Sequence, residues 1–469
     1  MKQKFVGGGL LNKHNSLKLQ KFKDNNSKRK TIVIMMIFSI LVLSGIYLYK
    51  TYALFTEERH FNVINGTVSD PGDIYFAYYV DNEITRNIPS KGSGYTLDTE
   101  KSNCTNGVSI SFDNYHYAVI TNYENYKAND YTRTRCDLYF KKLNISLVDY
   151  IKELSVYDNT NLDYDGTSDN NLRYIGANPN NYVSVDGELW RIIGVMNNID
   201  DGTGNRETRI KLVKNESIGE YSWDSSDSSV NSGYGINEWS QADLMKLLND
   251  GYESENVNNS LYWNNQSGAC YDAQLNDGTP CDFTTSGIKK ELKQLIDTAV
   301  WNTGSNGSQF SWNDLDSYDF YQMERSSNTG KICTSGIYCT NDTVARTTTW
   351  TGKIALMYPS DYGYSTTGQD NISSEMCRRT LLSEGNYDKY SLCYENSWIY
   401  LLGRKWFLTP LAVANRSDTV YFENNENGTV HMGTAAASVG VFPTVYLKAN
   451  VKVVFGDGTY ENPFYLSEK

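Results

Sequence analysis

Residues 181–196 read NYVSVDGELWRIIGVM and residues 209–218 read RIKLVKNESI, with the polar run NNIDDGTGN at 197–205 between them. Both flanks are rich in Val, Ile and Leu, whereas the middle is an Asn/Asp/Gly turn. That pattern predicts a β-hairpin. Downstream, Ser240 caps a helix through Asn249 with Leu244, Leu247 and Leu248 on one face and Gly251 as its stop. A second helix is predicted where Ile288, Leu292, Leu295, Ile296, Ala299 and Val300 recur at helical spacing, and a third around 315–324. Beyond Lys353 the chain returns to short apolar runs at 354–358, 398–402, 406–408, 419–422, 441–447 and 451–455. Strands and helices in this mixture predict an α+β module over 173–469.

Upstream of the module, residues 51–143 alternate apolar and polar side chains. Val108, Ile110 and Phe112 share one face, as do Cys136, Leu138 and Phe140, with Ser69–Gly72 and Lys91–Gly94 as turns. A small antiparallel β-domain is expected there. Residues 144–172 read as a linker with a short helix, Ser146–Leu154, whose stripe is Leu147, Tyr150, Ile151 and Leu154. Asn161, Asp163, Asp165 and Gly166 resemble the first half of a calcium loop, but Leu172 stands where a bidentate Glu is needed, so a solvated turn is expected.

The N-terminal residues determine where these domains sit. Thr31–Tyr49, TIVIMMIFSILVLSGIYLY, carries no charged side chain. A helix of that length, at 1.5 Å per residue, matches the roughly 30 Å hydrocarbon core of a bilayer. We expect a basic cytoplasmic tail at 1–30 and a transmembrane helix at 31–50 that is retained as an anchor. The tail holds nine of the 43 Lys and Arg and, in Asp24, one of the 55 acids, so the N-terminus is expected inside. The exported remainder then has 34 basic and 54 acidic residues (43 minus 9, and 55 minus 1). A surface that acidic disfavours nucleic acid as a partner. The expected localisation is the cell membrane with the C-terminal bulk outside, and ENPFYLSEK at the C-terminus supplies no second apolar span.

All 8 cysteines lie beyond the anchor, in neighbouring pairs: Cys104 and Cys136, Cys270 and Cys281, Cys333 and Cys339, Cys377 and Cys393. Locally paired cysteines in an exported chain predict disulfides. No pair has zinc-knuckle spacing and only His60, His116 and His431 are exported, so neither a metal site nor a cofactor is expected. None of those histidines accompanies a nucleophile motif, and no carboxylate pair stands out for a glycoside hydrolase. The chain is therefore read as a non-enzyme.

Trp190-Arg-Ile-Ile-Gly194, Trp239 before Leu-Leu-Asn249, Trp406-Phe-Leu-Thr-Pro410, Thr419-Val-Tyr-Phe422, Gly428-Thr-Val430 and Gly440-Val-Phe-Pro-Thr-Val-Tyr-Leu447 occur in order along the chain. In this respect residues 180–469 resemble bacterial membrane-anchored surface proteins with a C-type-lectin-like C-terminal module. That fold is shared with formylglycine-generating enzymes and with the variable receptor-binding proteins of diversity-generating retroelements. The chain departs from the pattern at Phe442 and at Leu408-Thr409, where arginines are common, and its cysteines read as staples and not as oxidase thiols. Fold alone assigns no function. The expected activity is recognition of a glycan or a surface protein. Trp398, Tyr400, Trp406, Asn415, Tyr421, Asn424 and Asn425 are the candidate ligand-binding residues, because aromatic faces beside amides suit a sugar or peptide. A structural envelope protein is the rival reading.

Overall fold

The computed structural model describes residues 74–113, 115–127, 134–224, 234–271, 279–305, 314–328, 344–411 and 418–468. The chain divides into Met1–Val68 and Ser69–Lys469. The expected transmembrane helix falls in the first unit and lies outside the described residues. Among the described residues no helix is long and apolar enough to cross a membrane. The second unit is α+β and sheet-rich, as expected in outline.

Its N-terminal part is a five-stranded sheet centred on Arg135–Lys142. Alternation works as the sequence predicts: Cys136, Leu138 and Phe140 point into a small core with Leu97 and Val108. The strand pairing corrects the expectation of an all-antiparallel domain. Tyr75–Val80 runs parallel to Arg135–Lys142, with Tyr75 opposite Arg135 and Val80 opposite Phe140. A parallel neighbour needs a long crossover, and residues 81–134 supply it, contributing Tyr95–Leu97 and Asn103–Cys104 as antiparallel strands on the way. Cys104 faces Cys136 across the ladder and the two are disulfide-bonded. A separate hairpin, Ser109–Asp113 with Ala118–Asn122, projects from this sheet.

A ten-stranded sheet organises the rest. The predicted hairpin is its centre: Glu188–Asp200 pairs antiparallel with Arg206–Lys214. The run from Asn181 is not one strand, however. Asp186 and Gly187 both have positive φ (49° and 76°), so the chain turns back and Tyr182–Val185 pairs with Glu188–Arg191. Two consecutive left-handed residues are what a tight hairpin turn requires, and Asp-Gly supplies them at little steric cost.

The segment 144–172 is not a linker. Ile145–Ser146 is the edge strand beside Lys452–Phe455, and Leu162–Tyr164 and Leu172–Tyr174 belong to the same ten-stranded sheet. The helix Leu147–Ser155 is capped by Ser146, whose side chain accepts from the Asp149 amide, and it buries Leu147, Val148, Tyr150 and Ile151 in the main core. An amphipathic stripe with such a partner gains more by packing than by spanning two domains in solvent. The Lys91–Gly94 turn likewise docks onto the large sheet: Gly456 N donates to Gly92 O and Leu143 N to Gly94 O, both at 2.8 Å. A Cβ on Gly94 would lie 2.2 Å from the Val454 carbonyl, so glycine is required at that contact.

The helices are shorter than their periodicity suggests. Lys290–Leu295 is helical, but Ala299–Asn302 is a strand paired with Thr349–Gly352, where Trp301 is buried against Tyr446 and donates to the Gly352 carbonyl, so tertiary packing outweighs helical propensity. A three-stranded sheet, Lys405–Leu411, Thr419–Asn424 and Thr429–Thr434, completes the module. Disulfides join Cys270 to Cys281 and Cys377 to Cys393. Cys333 and Cys339 lie outside the described residues.

Candidate functional site

Three of the sequence-derived recognition residues are core, and that corrects the site. Trp398 is fully buried, its Nε1 donating to the Tyr174 carbonyl (2.9 Å) and the Arg191 guanidinium lying 4.6 Å from its ring. Trp406 donates to the Tyr221 carbonyl (2.9 Å) and packs edge-on to Phe422. Tyr421 packs edge-on to Phe320, and burial drives its hydroxyl pKa far upward. Every residue of Lys405–Leu411 is buried, so that strand has no solvent-facing side on which an aromatic could meet a ligand. Tyr400 is half-buried and its hydroxyl donates to the Asn425 carbonyl (3.0 Å), while Asn424 stabilises its own turn by accepting from the Glu426 amide. Asn415 lies outside the described residues. The candidates therefore converge only as far as Tyr400, Asn424 and Asn425, at one hairpin end.

The strongest electrostatic feature is interior. Asp165 accepts from the Thr167 amide and hydroxyl, the Asn171 amide and side chain, and Arg173 Nε. Of the residues that resemble a calcium loop, Asp165 is thus buried and saturated, whereas Asp163 pairs with Arg378 in a partly exposed contact and Gly166 is exposed, as in a solvated turn. Arg173 continues to Asp361 Oδ1 (2.8 Å), and Lys211 Nζ meets Asp361 Oδ2 (2.5 Å) inside a box of Trp301, Tyr358 and Tyr446. Burial pushes the Asp361 carboxyl up, but Lys211 and Arg173 overcome it and hold the pKa at about 2. Burial lowers the Lys211 pKa to about 8 despite Asp361. Glu324 accepts from the Ser360 amide and hydroxyl, and burial raises its pKa to about 7 against the pull of Arg325. Perturbed groups of this kind can mark active sites. Here each side chain is consumed by partners inside the core, which makes the network a clamp between the central sheet and the helices Ser317–Glu324 and Pro359–Gly363.

Among the described residues no group of three His, Cys, Asp or Glu is placed to hold a metal ion. His116 Nδ1 sits 2.6 Å from Asp113, and His431 lies 3.8 Å from Glu384.

A solvent-facing cleft lies elsewhere, where the small sheet meets the helix Leu147–Ser155. The tip of the hairpin that projects from the five-stranded sheet carries Tyr115 and His116, set in place by Asp113, whose Oδ1 accepts from both backbone amides (2.9 and 3.0 Å). The Tyr115 ring lies parallel to Tyr157 at 5.7 Å, and His116 meets both edge-on. Lys91 Nζ is 4.8 Å from the centre of the Tyr115 ring. Between Tyr115, Tyr150, Glu153, Leu154, Val156 and Tyr157 is a cleft of about 230 Å³. Its rim is exposed, with Tyr157 at 49% and Val156 at 76%. Burial, with the charge of Asp149 behind it, raises the Glu153 carboxyl pKa. Ring faces for stacking, a carboxylate acceptor and an ammonium donor are the groups that bind polyhydroxy or aromatic ligands.

The aromatic cluster Tyr115-His116-Tyr117 at a hairpin tip is a visible signal, but its partner Tyr157 follows a helix read as linker. Only the packing of that helix brings the two together. Comparison of the chain with known protein families, with curated proteins and with solved structures finds no match in any of the three.

Proposed function

We propose that this chain is a single-pass surface protein, anchored by residues 31–49 with its N-terminus cytoplasmic, whose exported part recognises a glycan. The cleft between Tyr115 and Tyr157 carries the reading: it is concave, open to solvent, walled by tyrosines and lined by Glu153, with Lys91 held near the Tyr115 ring. Surface binding sites commonly combine a few aromatic walls with sparse polar groups, and tyrosine suits them because one end is apolar and the other wet. Export is supported by cysteines found only beyond the apolar run and by disulfides at three of their pairs. The ordered Trp190, Trp239, Trp406 and Gly440–Leu447 motifs support a C-type-lectin-like module as the scaffold.

The test is a glycan array and a cell-binding assay on detergent-solubilised full-length protein, beside a Tyr115→Ala/Tyr157→Ala variant. Binding by wild type that drops at least tenfold in the variant supports the proposal. Blank arrays and blank cells remove it. Cross-linking in cells that returns only envelope neighbours would favour the structural reading instead.

A further inference from the structure

Lys405 and Glu423 face each other directly across the antiparallel pair formed by Lys405–Leu411 and Thr419–Asn424. Lys405 Nζ is 2.9 Å from Glu423 Oε2, and both side chains have 0% exposure. This contact is the one side-chain hydrogen bond of the pair among the described residues. Glu423 Oε1 is buried and has no hydrogen-bond partner. The pair therefore differs from Lys211 and Asp361, where both carboxylate oxygens are satisfied by Arg173, Lys211 and the Tyr358 amide.

A buried ion pair with so few hydrogen bonds is poorly compensated for the loss of water. Burial lowers the Lys405 pKa and raises that of Glu423, each against the attraction of its partner, so both are driven toward neutral amine and neutral acid. Those are the forms that condense. The fold holds them in contact, which removes the entropic barrier to a bimolecular step, and it excludes the water that would hydrolyse the product.

We infer that Lys405 and Glu423 form an intramolecular amide, a self-made cross-link between adjacent strands. A proton passes from Nζ to the carboxylate, giving amine and acid. The amine lone pair attacks Cδ, a C–N bond forms, the C–O bond to one carboxyl oxygen breaks, and that oxygen leaves with two protons as water. No oxidant, reductant or nucleotide takes part. The product replaces two buried charges by one amide, with a single N–H and a single C=O left to satisfy. An amide at this point ties the first two strands of the three-stranded sheet together independently of the disulfides.

The test is the intact mass of purified full-length protein after reduction and alkylation, followed by proteolysis and peptide sequencing. The expected result is a chain lighter than its sequence by one water, with one branched species joining the peptides that contain Lys405 and Glu423. In Lys405→Arg the mass should return to the sequence value. Wild type at its full sequence mass, with both peptides recovered unlinked, overturns the inference whether or not any variant folds. A one-water deficit mapping to Lys211 and Asp361, or to any other pair, overturns it equally.

Discussion

Asp361→Asn tests whether the buried network clamps the fold. The substitution keeps the shape of the side chain and removes the charge shared by Arg173 and Lys211, which are themselves 2% and 1% exposed. Arg173 still has Asp165, but Lys211 is left with aromatic faces and no anion. The amide NH2 would face either Nζ or the guanidinium, donor against donor, and the Tyr358 amide that Oδ2 accepts from risks losing its acceptor. Stranding one partner of a buried pair costs about 3–5 kcal/mol. Lys211 can escape by losing its proton. Doing so at pH 7, against an ordinary pKa of about 10.4, costs about 5 kcal/mol, which caps the loss near the top of that range. Domains are stable by about 5–15 kcal/mol, so the urea midpoint of the full chain, disulfides intact, should fall by about a fifth or more. Asp361→Asn/Lys211→Met removes the stranded cation and should recover at least half of the loss. A single variant within about 1 kcal/mol of wild type, or a double variant no better than the single, would refute the reasoning.

Three further outcomes follow from the same structure. Glu324 has its pKa raised from 4.5 to about 7, so the folded state holds a proton that the unfolded chain releases; this contribution is complete below about pH 4.5 and about 3 kcal/mol should be lost as pH rises through 7, a slope that urea titrations should find flattened in Glu324→Gln. Replacing Cys377 and Cys393 by Ser opens a loop of 16 residues between two short helices and should cost about 3 kcal/mol in a denaturant titration. Trp398→Ala removes a buried indole that bonds Tyr174 and stacks with Arg191, so thermal or urea unfolding should show a loss of about 3–5 kcal/mol. The folded fraction should keep any ligand binding, because this side chain never reaches solvent.

The sequence by itself determined the features that depend on neighbours along the chain. The 188–214 hairpin, the alternation that buries Cys136 and Leu138, the helix capped by Ser146, and three of the cysteine pairings could all be read from spacing and turn chemistry. Only the tertiary structure decided the rest. Trp398, Trp406 and Tyr421 have the composition of a binding site, yet Arg191 and Phe422 from strands and Phe320 from a helix enclose them. Asp165 resembles a metal ligand until Arg173 and Asn171 saturate it. Residues 144–172 look like a linker because their stripe is short, yet Leu147, Tyr150 and Ile151 of that stripe are core, with the returning strand Lys452–Phe455 paired to Ile145–Ser146 beside them. Local pattern says which side of an element is apolar. What lies against that side, and so whether an aromatic or a carboxylate is left for a ligand, depends on contacts between residues far apart in sequence. The pairing of Tyr115 with Tyr157 and of Lys405 with Glu423 belongs to that second kind.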